Sequence, residues 1–178
     1  MTETHSGHYP IEDRAGEIDR LAVQGAAMAP HADSMLDLIR VGSGWTCLDI
    51  GCGPGGITQL LSRRVGATGH VIGLDMNAQF LEHARRSAAP NVEFLEGDAY
   101  GSNLPPESFE LVHMRFVAST AGEPERLIRE AMRLTRPGGF VALQEPDAST
   151  LNCYPPHPAW PPSGRTAQAL PSHCPAHC

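Results

Sequence analysis

The sequence predicts a doubly wound α/β fold built on a parallel β-sheet. Short apolar runs alternate with segments of helical periodicity over most of the chain. A cluster of glycines directly follows the first apolar run, as happens where a strand turns tightly into a helix. The length of 178 residues and the hydrophobic content of 41% suit one domain with a single core. Strands that alternate with helices favour a parallel sheet with right-handed crossover connections.

Two helices are predicted ahead of the sheet. Apolar residues recur at helical intervals over residues 11–28, and Pro30 is expected to end this helix. A second, shorter helix is expected over residues 32–40. The predicted division of the chain is an N-terminal helical lid, residues 1–40, a main domain, residues 41–150, and an irregular proline-rich tail, residues 151–178.

Five strands and three further helices are predicted in the main domain. The first strand, residues 46–50, leads through the glycine cluster into a helix over residues 57–65. Pro124 suits the first turn of a helix, and a turn at residues 137–139 leads into the last strand. The other strands are expected at residues 70–74, 92–95, 109–114 and 140–144, and the other helices at residues 78–88 and 124–134.

The composition changes at about residue 151, where the apolar periodicity ends. Seven of the sixteen prolines of the chain fall in residues 151–178. Such a segment cannot bury enough apolar surface to offset the entropy of ordering it, so coil is expected.

The tail also carries residue types that bind zinc. His173 and His177 are one helical turn apart, but Pro175 opposes a helix between them. Structural zinc sites usually pair their ligands at tighter, repeated spacings, so no metal is predicted. The candidate ligands would be His157, His173, Cys174, His177 and Cys178.

The charge of the chain excludes some classes of function. The net charge of -7 argues against a nucleic-acid partner, because such partners are bound by clustered basic residues. All thirteen residues counted as Lys or Arg are arginine, so no lysine is present to act as a general base or to form a Schiff base.

The sequence predicts a cytoplasmic protein without a membrane span. No apolar run reaches the roughly 18 to 20 residues that a membrane-spanning helix needs. Residues 1–8 lack the basic and apolar regions of a signal peptide. The five cysteines, an odd number, suit a reducing compartment, so no structural disulfide is expected.

The run from Leu48 to Gly56 is the strongest motif. Its glycines lie at the tip of a strand, where side chains would collide with a ligand that approaches the backbone. The helix that begins near Gly55 directs unpaired N–H groups toward the crevice beyond the strands, where open α/β sheets bind ligands. Gly51, Gly53 and Gly56 also match the dinucleotide fingerprint, so the glycines alone do not identify the cofactor.

Three acidic residues accompany the glycine motif and add information that the glycines lack. Asp49 lies two residues before the first glycine, Asp75 ends the second strand, and Asp98 follows the third. Here the sequence resembles the class I S-adenosylmethionine-dependent methyltransferases, particularly the small-molecule branch that includes the ubiquinone and menaquinone methylases. This resemblance implies a Rossmann-like sheet with S-adenosylmethionine as the cofactor. The sheet of this family normally has seven strands, so the resemblance also implies that the five-stranded sheet is incomplete on its C-terminal side, and our hypothesis is a truncation or a frameshift near Trp160. It covers roughly residues 9–147, with motifs at residues 48–56, 71–77, 97–99 and 136–140.

The resemblance also implies which residues contact the cofactor. At the methionine end, Asp49 would act on the amino group directly or through water. At the adenosine end, Asp75 would accept hydrogen bonds from both ribose hydroxyls, as a carboxylate can. Met76 would pack on adenine, Asp98 would accept from the exocyclic amine, and the Ala99 N–H would donate to the ring. The full implied set is Asp49, Gly51, Cys52, Gly53, Asp75, Met76, Asp98, Ala99, Met114 and Arg115.

Each acidic residue also has a simpler explanation. Asp49 is a candidate cap for the turn that follows it, and Asp75 a candidate N-cap of the next helix. Asp98 is a candidate turn residue that has no contact with a ligand. Cys52 is interpreted as a small residue beside the cofactor rather than as a nucleophile, because no histidine lies nearby in the sequence.

The substrate side of the crevice is less well defined. Methyl transfer depends mainly on orientation and exclusion of water, so a dedicated base is optional. Candidates for substrate contact are His113, Met114 and Arg115 at the end of the fourth strand, and Glu145 and Asp147 after the fifth. Of these, His113 and Glu145 are candidate catalytic bases, although a strand-end histidine is more often structural.

The predicted function is S-adenosylmethionine-dependent methylation of a small molecule. Two alternatives remain open: a module that binds the cofactor without activity, and a nicotinamide-dependent oxidoreductase. The N-terminal helix, with Arg20, Leu21 and Gln24, resembles the lid that folds over the cofactor. The exposed edge of the last strand predicts self-association.

Overall fold

The structure, a computed structural model, describes residues 16–147 of the chain. Its strands are β1 (Thr46–Ile50), β2 (His70–Asp75), β3 (Val92–Glu96), β4 (Phe109–Arg115) and β5 (Thr135–Gln144). Its helices are α1 (Glu17–Ile39), α2 (Gly56–Val65), α3 (Ala78–Arg85) and α4 (Pro124–Leu134). The spatial order is β3-β2-β1-β4-β5, and every neighbouring pair runs parallel. The predicted doubly wound parallel sheet is confirmed.

Helices cover both faces of the sheet. On one face, Leu36 of α1 and Leu61 of α2 pack with Leu111 of β4. On the other face, Leu127 of α4 packs with Val112, the next residue of β4. Because both faces are buried, the central strands carry nearly continuous apolar runs rather than an alternating pattern.

Helix α1 differs from the prediction. The predicted helix end at Pro30 is wrong, because Pro30 lies inside a single helix. A proline in a helix interior costs about 3 kcal/mol, since it removes one backbone hydrogen bond and crowds the preceding turn. Packing of the next two turns offsets this cost, because Ala32 and Leu36 are fully buried in the core.

An ion-pair cluster also holds the C-terminal half of α1. The Nη2 atom of Arg64 on α2 lies 2.7 Å from Oδ1 of Asp33, and the same guanidinium pairs with Asp37. These contacts join α1 to α2 along one side. They are tertiary contacts, which the local pattern around Pro30 does not indicate.

Several predictions concern parts of the chain at or beyond the described range. Of the described residues, those from 16 to 145 belong to one compact unit, and the last two belong to a second. The first five residues of the predicted first helix, residues 11–15, the predicted coil and the candidate zinc ligands lie outside the described residues. The boundaries at residues 40 and 150 stay predictions. Within residues 16–147, no helix is long and apolar enough to cross a bilayer.

Strand β5 begins earlier than predicted. Thr135 pairs with Phe109, and after an irregularity Phe140 pairs with Leu111. The turn predicted at residues 137–139 therefore lies inside the strand. It interrupts the pairing of β5 with β4, as a β-bulge does. In the described sheet, β5 is an edge strand. Self-association through this edge stays a prediction.

Gly73 of β2 provides the first testable prediction. A Cβ at this position would lie 2.7 Å from two carbons of the Phe94 ring and 3.0 Å from Sγ of Cys52. Gly73→Ala should therefore overpack the core and lower the free energy of unfolding by about 1 to 3 kcal/mol, as measured by urea denaturation.

Gly101→Ala is the matched control. Nothing lies within 4 Å of a Cβ placed on Gly101. The control variant should unfold at nearly the urea concentration of the wild type. Equal stability of the Gly73→Ala variant and the control would contradict the packing described for β2 and β3.

Candidate functional site

The strand order reverses at β1, and this reversal creates a crevice. β2 lies on one side of β1 and β4 on the other. Because the strands are parallel, their C-terminal ends meet at one edge, where Ile50, Asp75 and Arg115 end their strands. Ligands of open α/β sheets bind at such an edge.

The turn after β1 has a backbone that favours glycine. Gly51, Gly53 and Gly55 have φ angles of 66°, 53° and 89°, in a region that residues with a side chain rarely adopt. A Cβ on Gly51 would also lie 2.4 Å from Cγ2 of Val117. The Gly51 N–H donates to the Leu74 carbonyl at 2.8 Å, which ties the turn to β2. The bare backbone of the turn is therefore a requirement of the fold as well as an opening for a ligand.

Asp75 lies beside this turn, and two backbone groups hold its carboxylate. The Gly53 N–H donates to Oδ2 at 2.7 Å, and the Asn77 N–H donates to Oδ1 at 2.9 Å. Burial raises the pKa of Asp75, while the hydrogen bonds from Asn77 and Gly53 act in the opposite direction. The alternative that Asp75 caps α3 is wrong, because Asn77 is the N-cap and accepts from Gln79 and Phe80.

The residues expected at adenine follow β2 and β3. Met76 is 51% exposed, so its side chain is open to contact. Asp98 is exposed, and its Oδ1 accepts from the Tyr100 N–H at 2.8 Å. This hydrogen bond forms a local turn, as expected if Asp98 is a turn residue. Ala99 is partly buried and packs against the core. Contacts of these residues with a cofactor stay predictions.

Asp49 is buried at the centre of a hydrogen-bond network. Its side chain is reached from two elements: Thr58 Oγ1 of α2 donates to Oδ2 at 2.7 Å, and His113 Nδ1 of β4 lies 2.9 Å from Oδ1. The second ring nitrogen of His113, Nε2, lies 3.3 Å from Oε1 of Gln144 on β5. A carboxylate that is 2% exposed needs such partners. The network therefore joins β1, α2, β4 and β5 beneath the crevice.

Arg115 extends from the end of β4 toward α1. Its Nη2 atom lies 3.8 Å from the position that a Cβ on Gly25 would occupy. Its Nη1 atom is the one buried side-chain nitrogen or oxygen without a hydrogen-bond partner in residues 16–147. Burial lowers the pKa of Arg115, and the negative charge of Asp49 acts in the opposite direction. The crevice thus has a partly buried cation near a buried anion.

Glu145, just beyond β5, holds the loop between β4 and α4. Its Oε1 accepts from the Ala118 N–H at 2.9 Å, and its Oε2 accepts from the Ser119 N–H at 3.2 Å. The same loop carries Val117, whose side chain contacts the Gly51 position. The carboxylate of Glu145 therefore holds the loop, and its role as a catalytic base stays a prediction.

His113 and Met114 do not face the crevice either. Both side chains are fully buried. The ring nitrogens of His113 face Asp49 and Gln144, so the ring belongs to the buried network beneath the crevice. Met114 packs with Ile50 in the core. β4 is an interior strand whose two faces are covered up to Met114, so both side chains are shielded from a ligand, and the roles of the two residues in the site stay predictions.

Cys52 points into the core rather than toward a ligand. It is 7% exposed and packs with Leu81, Ala84 and Phe94. Burial raises the pKa of the Cys52 thiol well above its usual value, so the reactive thiolate is disfavoured. Only the backbone of Cys52 remains available for the predicted cofactor contact.

A match to one known family covers both the strands of the sheet and the glycine turn. Residues 47–139, which contain the glycine turn, the three acidic residues and Arg115, match the family model described as Methyltransferase domain. The chain belongs to this family. The resemblance to class I S-adenosylmethionine-dependent methyltransferases is thereby confirmed, and the match gives no support to the nicotinamide-dependent alternative.

Individual relatives of this methyltransferase domain agree with the family match. The chain is 36% identical to the 2-phytyl-1,4-naphtoquinone methyltransferase of Thermosynechococcus vestitus, over 67% of this chain and 55% of that protein. It is 32% identical to the ubiquinone/menaquinone biosynthesis C-methyltransferase UbiE of Hahella chejuensis, over 82% of this chain and 68% of that protein. It spans about half the length of several curated relatives.

A solved structure shows the same fold. A SAM-dependent methyltransferase from Aquifex aeolicus superposes with a TM-score of 0.59 at 26% identity, covering 63% of this chain and 62% of that chain. The Rossmann-like sheet expected for the methyltransferase domain is therefore confirmed.

Sequence reasoning missed several residues that shape the site of the methyltransferase domain. Thr58 and Gln144 complete the network around Asp49, and Val117 and Gly25 border the glycine turn and Arg115. Their roles depend on which strands are neighbours and in which register. The pairing of Asp49 with His113, for example, becomes visible only once β1 and β4 are known to be adjacent.

The buried network predicts a large effect for His113→Ala. The substitution removes one partner of the Asp49 carboxylate and leaves a cavity, so the free energy of unfolding should fall by about 3 kcal/mol in urea denaturation. His70→Ala is the control: this strand histidine is half exposed, its nearest carboxylate is 3.7 Å away on Glu93, and its loss should cost less than about 1 kcal/mol. Similar losses for both variants would contradict the role of the network.

The contacts of Glu145 predict a local effect. Glu145→Ala removes the acceptor of two backbone N–H groups, so hydrogen exchange in residues 116–121 should accelerate at least about tenfold, as measured by mass spectrometry. The control is Glu96→Ala, which removes an exposed carboxylate at the end of β3. Unchanged exchange in the Glu145 variant would show that the loop does not depend on this residue.

Proposed function

We propose that this methyltransferase domain binds S-adenosylmethionine in the crevice and transfers its methyl group to a small-molecule acceptor. The observation that carries the proposal is the carboxylate of Asp75 at the tip of β2, next to the glycine turn. Each of its oxygens accepts one backbone hydrogen bond, from Gly53 or Asn77. A carboxylate offers about four lone-pair sites, so acceptor capacity remains for the two hydroxyls of a ribose.

The residues around Asp75 fit the other parts of the cofactor. The glycine turn exposes bare backbone where the methionine moiety would lie. Helix α2 has no side-chain cap at Gly55, so its first N–H groups favour a ligand with negative charge. Met76 has an exposed side chain that suits the face of a purine. The unpartnered Nη1 of Arg115 suits an anionic group.

The protein orients the reactants and excludes water in this proposal. When bound, S-adenosylmethionine supplies an activated methyl group on a sulfonium centre. The backbone turn and Asp75 would fix the position of that centre at the edge of β1. The loop held by Glu145 would form the adjoining wall. His113 and Glu145 both have partners within the protein, so the proposal assigns the catalysis to positioning rather than to a dedicated base.

The relatives support a small molecule as the acceptor. Their names include quinone methyltransferases and, in Halobacterium salinarum, an arsenite methyltransferase that is 37% identical over 57% of this chain. These acceptors differ widely in chemistry. The class of acceptor is therefore proposed here only as a small molecule.

The proposal includes a cytoplasmic location for the reaction. Cys47 and Cys52 are free, buried thiols. Burial raises the pKa of Cys47 to about 12. Free thiols are typical of a reducing compartment, which supports this location.

Calorimetric titration with S-adenosylhomocysteine tests the cofactor site. The wild-type protein should bind, and Asp75→Ala should weaken binding about 10- to 100-fold, because it removes the charged acceptor for the ribose hydroxyls. S-adenosylmethionine should give the same ranking of variants.

Glu82→Ala is the control, since Glu82 is exposed on α3 and pairs only with Arg86 among the described residues. It should bind like the wild type. A folded wild-type protein that binds neither ligand would refute the proposed function. Equal affinities of the Asp75 and Glu82 variants would refute the assignment of Asp75.

A further inference from the structure

We propose that Tyr100 is a positioning residue that links a bound cofactor to the order of the loop formed by residues 116–123. This inference rests on the proposed function, in which that loop forms a wall of the site for the methyl acceptor. Binding of the cofactor beside Tyr100 thereby orders the wall before the acceptor arrives. The inference depends on how the residues that follow β3 are fastened to α4.

The segment after β3, residues 100–104, is fastened along α4 by polar contacts of its alternate residues. Glu130 of α4 accepts from the backbone N–H and from the hydroxyl of Ser102, at 3.2 and 2.9 Å. One turn further along the helix, Nη2 of Arg133 donates to the Leu104 carbonyl at 3.0 Å. Residues 100–104 and α4 therefore form one connected unit.

Tyr100 makes the contact of this segment that lies nearest the start of α4. Its hydroxyl oxygen accepts from the Glu123 N–H at 3.2 Å, and Glu123 is both the last residue of the loop and the N-cap of α4. The guanidinium carbon of Arg126 lies 5.1 Å from the centre of the tyrosine ring. Because the side chain of Glu123 makes no capping hydrogen bond, the phenol supplies an acceptor at this helix start.

Tyr100 is also joined to the residues expected at adenine. Its backbone N–H donates to Oδ1 of Asp98, which is exposed, at 2.8 Å. The Gly97 N–H donates to the Asp75 carbonyl at 3.0 Å, which attaches this turn to the tip of β2. A ligand that engages Asp98 or Ala99 therefore fixes the turn and, through the tyrosine side chain, the start of α4.

The earlier part of the loop is held from other sides of the crevice. Glu145 accepts from two of its N–H groups, and Val117 lies against the Gly51 position. Among the described residues, the hydrogen bond between Glu123 and Tyr100 is the one that joins the loop to the segment after β3. An effect that begins at adenine reaches the loop through this bond.

The hydroxyl of Tyr100 has a small part in the stability of the sheet. The tyrosine ring packs against the core, and that packing does not need the hydroxyl. An exposed hydrogen bond contributes little to global stability, but it can decide whether a local segment opens. A ligand that rigidifies one segment can also rigidify a second segment attached to it, without a large structural change.

Hydrogen exchange of the full chain with and without saturating S-adenosylhomocysteine tests the inference by mass spectrometry. In the wild type, the ligand should slow exchange in residues 97–101 and in residues 116–123 by at least about fivefold. In Tyr100→Phe, which loses only the hydroxyl, the slowing at residues 97–101 should persist. The slowing at residues 116–123 should fall below about twofold. Each comparison is made within one variant, so a change in ligand-free exchange does not affect it.

Arg129→Gln is the control, because Arg129 is exposed on α4. It should show the wild-type slowing in both segments. Slowing at residues 116–123 that survives in Tyr100→Phe would overturn the inference, as would its absence from the ligand-bound wild type. A wild-type protein that does not bind S-adenosylhomocysteine in calorimetry would instead refute the proposed function, and this inference with it.

A wild-type measurement covers the case in which Tyr100→Phe does not fold. 5′-Methylthioadenosine carries the adenosine group of the cofactor but lacks its amino-acid end. At saturation it should slow exchange in residues 97–101 and also in residues 116–123, because the effect begins on the adenine side of the crevice. Protection of the first segment alone, or of neither, would overturn the inference, since the loop would then respond only to the other end of the ligand.

Discussion

One buried carboxylate determines how the centre of this protein is arranged. Asp49 lies in the middle strand of the sheet, and an ionised carboxylate there is very costly unless donors surround it. Thr58 and His113 supply donors from α2 and β4, and Gln144 continues the network to β5. The elements on both sides of the strand-order reversal are therefore joined at the point where the crevice opens, and the glycine turn begins from a rigid base.

The parts of the fold that depend on local pattern follow from the sequence. β1 and α4 lie at their predicted bounds, and the other strands differ by a residue or two at their ends, except β5. Apolar runs and the proline at the start of α4 are local signals, so they identify elements without knowledge of their neighbours. The glycine turn belongs with them, since its backbone angles are a local requirement.

Sequence reasoning is weakest where contacts between residues far apart in the sequence determine the structure. Pro30 does not end α1, because contacts with the core and with Arg64 outweigh its cost. His113 and Glu145 have the chemistry of a base, but both also have partners on other elements, which the sequence does not indicate. A sequence shows which side chains are reactive in type. It does not show which of them hydrogen-bond to residues on neighbouring strands once the sheet has formed.

The proline in α1 divides the helix into two parts with different attachments. The side chains of α1 that are buried lie at its first residue, Glu17, and beyond Pro30, at Ala32 and Leu36. The turns in between, which include Gly25 above Arg115, contribute no fully buried side chain. Detaching those turns would uncover no fully buried side chain, so they can open locally while the turns after Pro30 stay packed on the sheet.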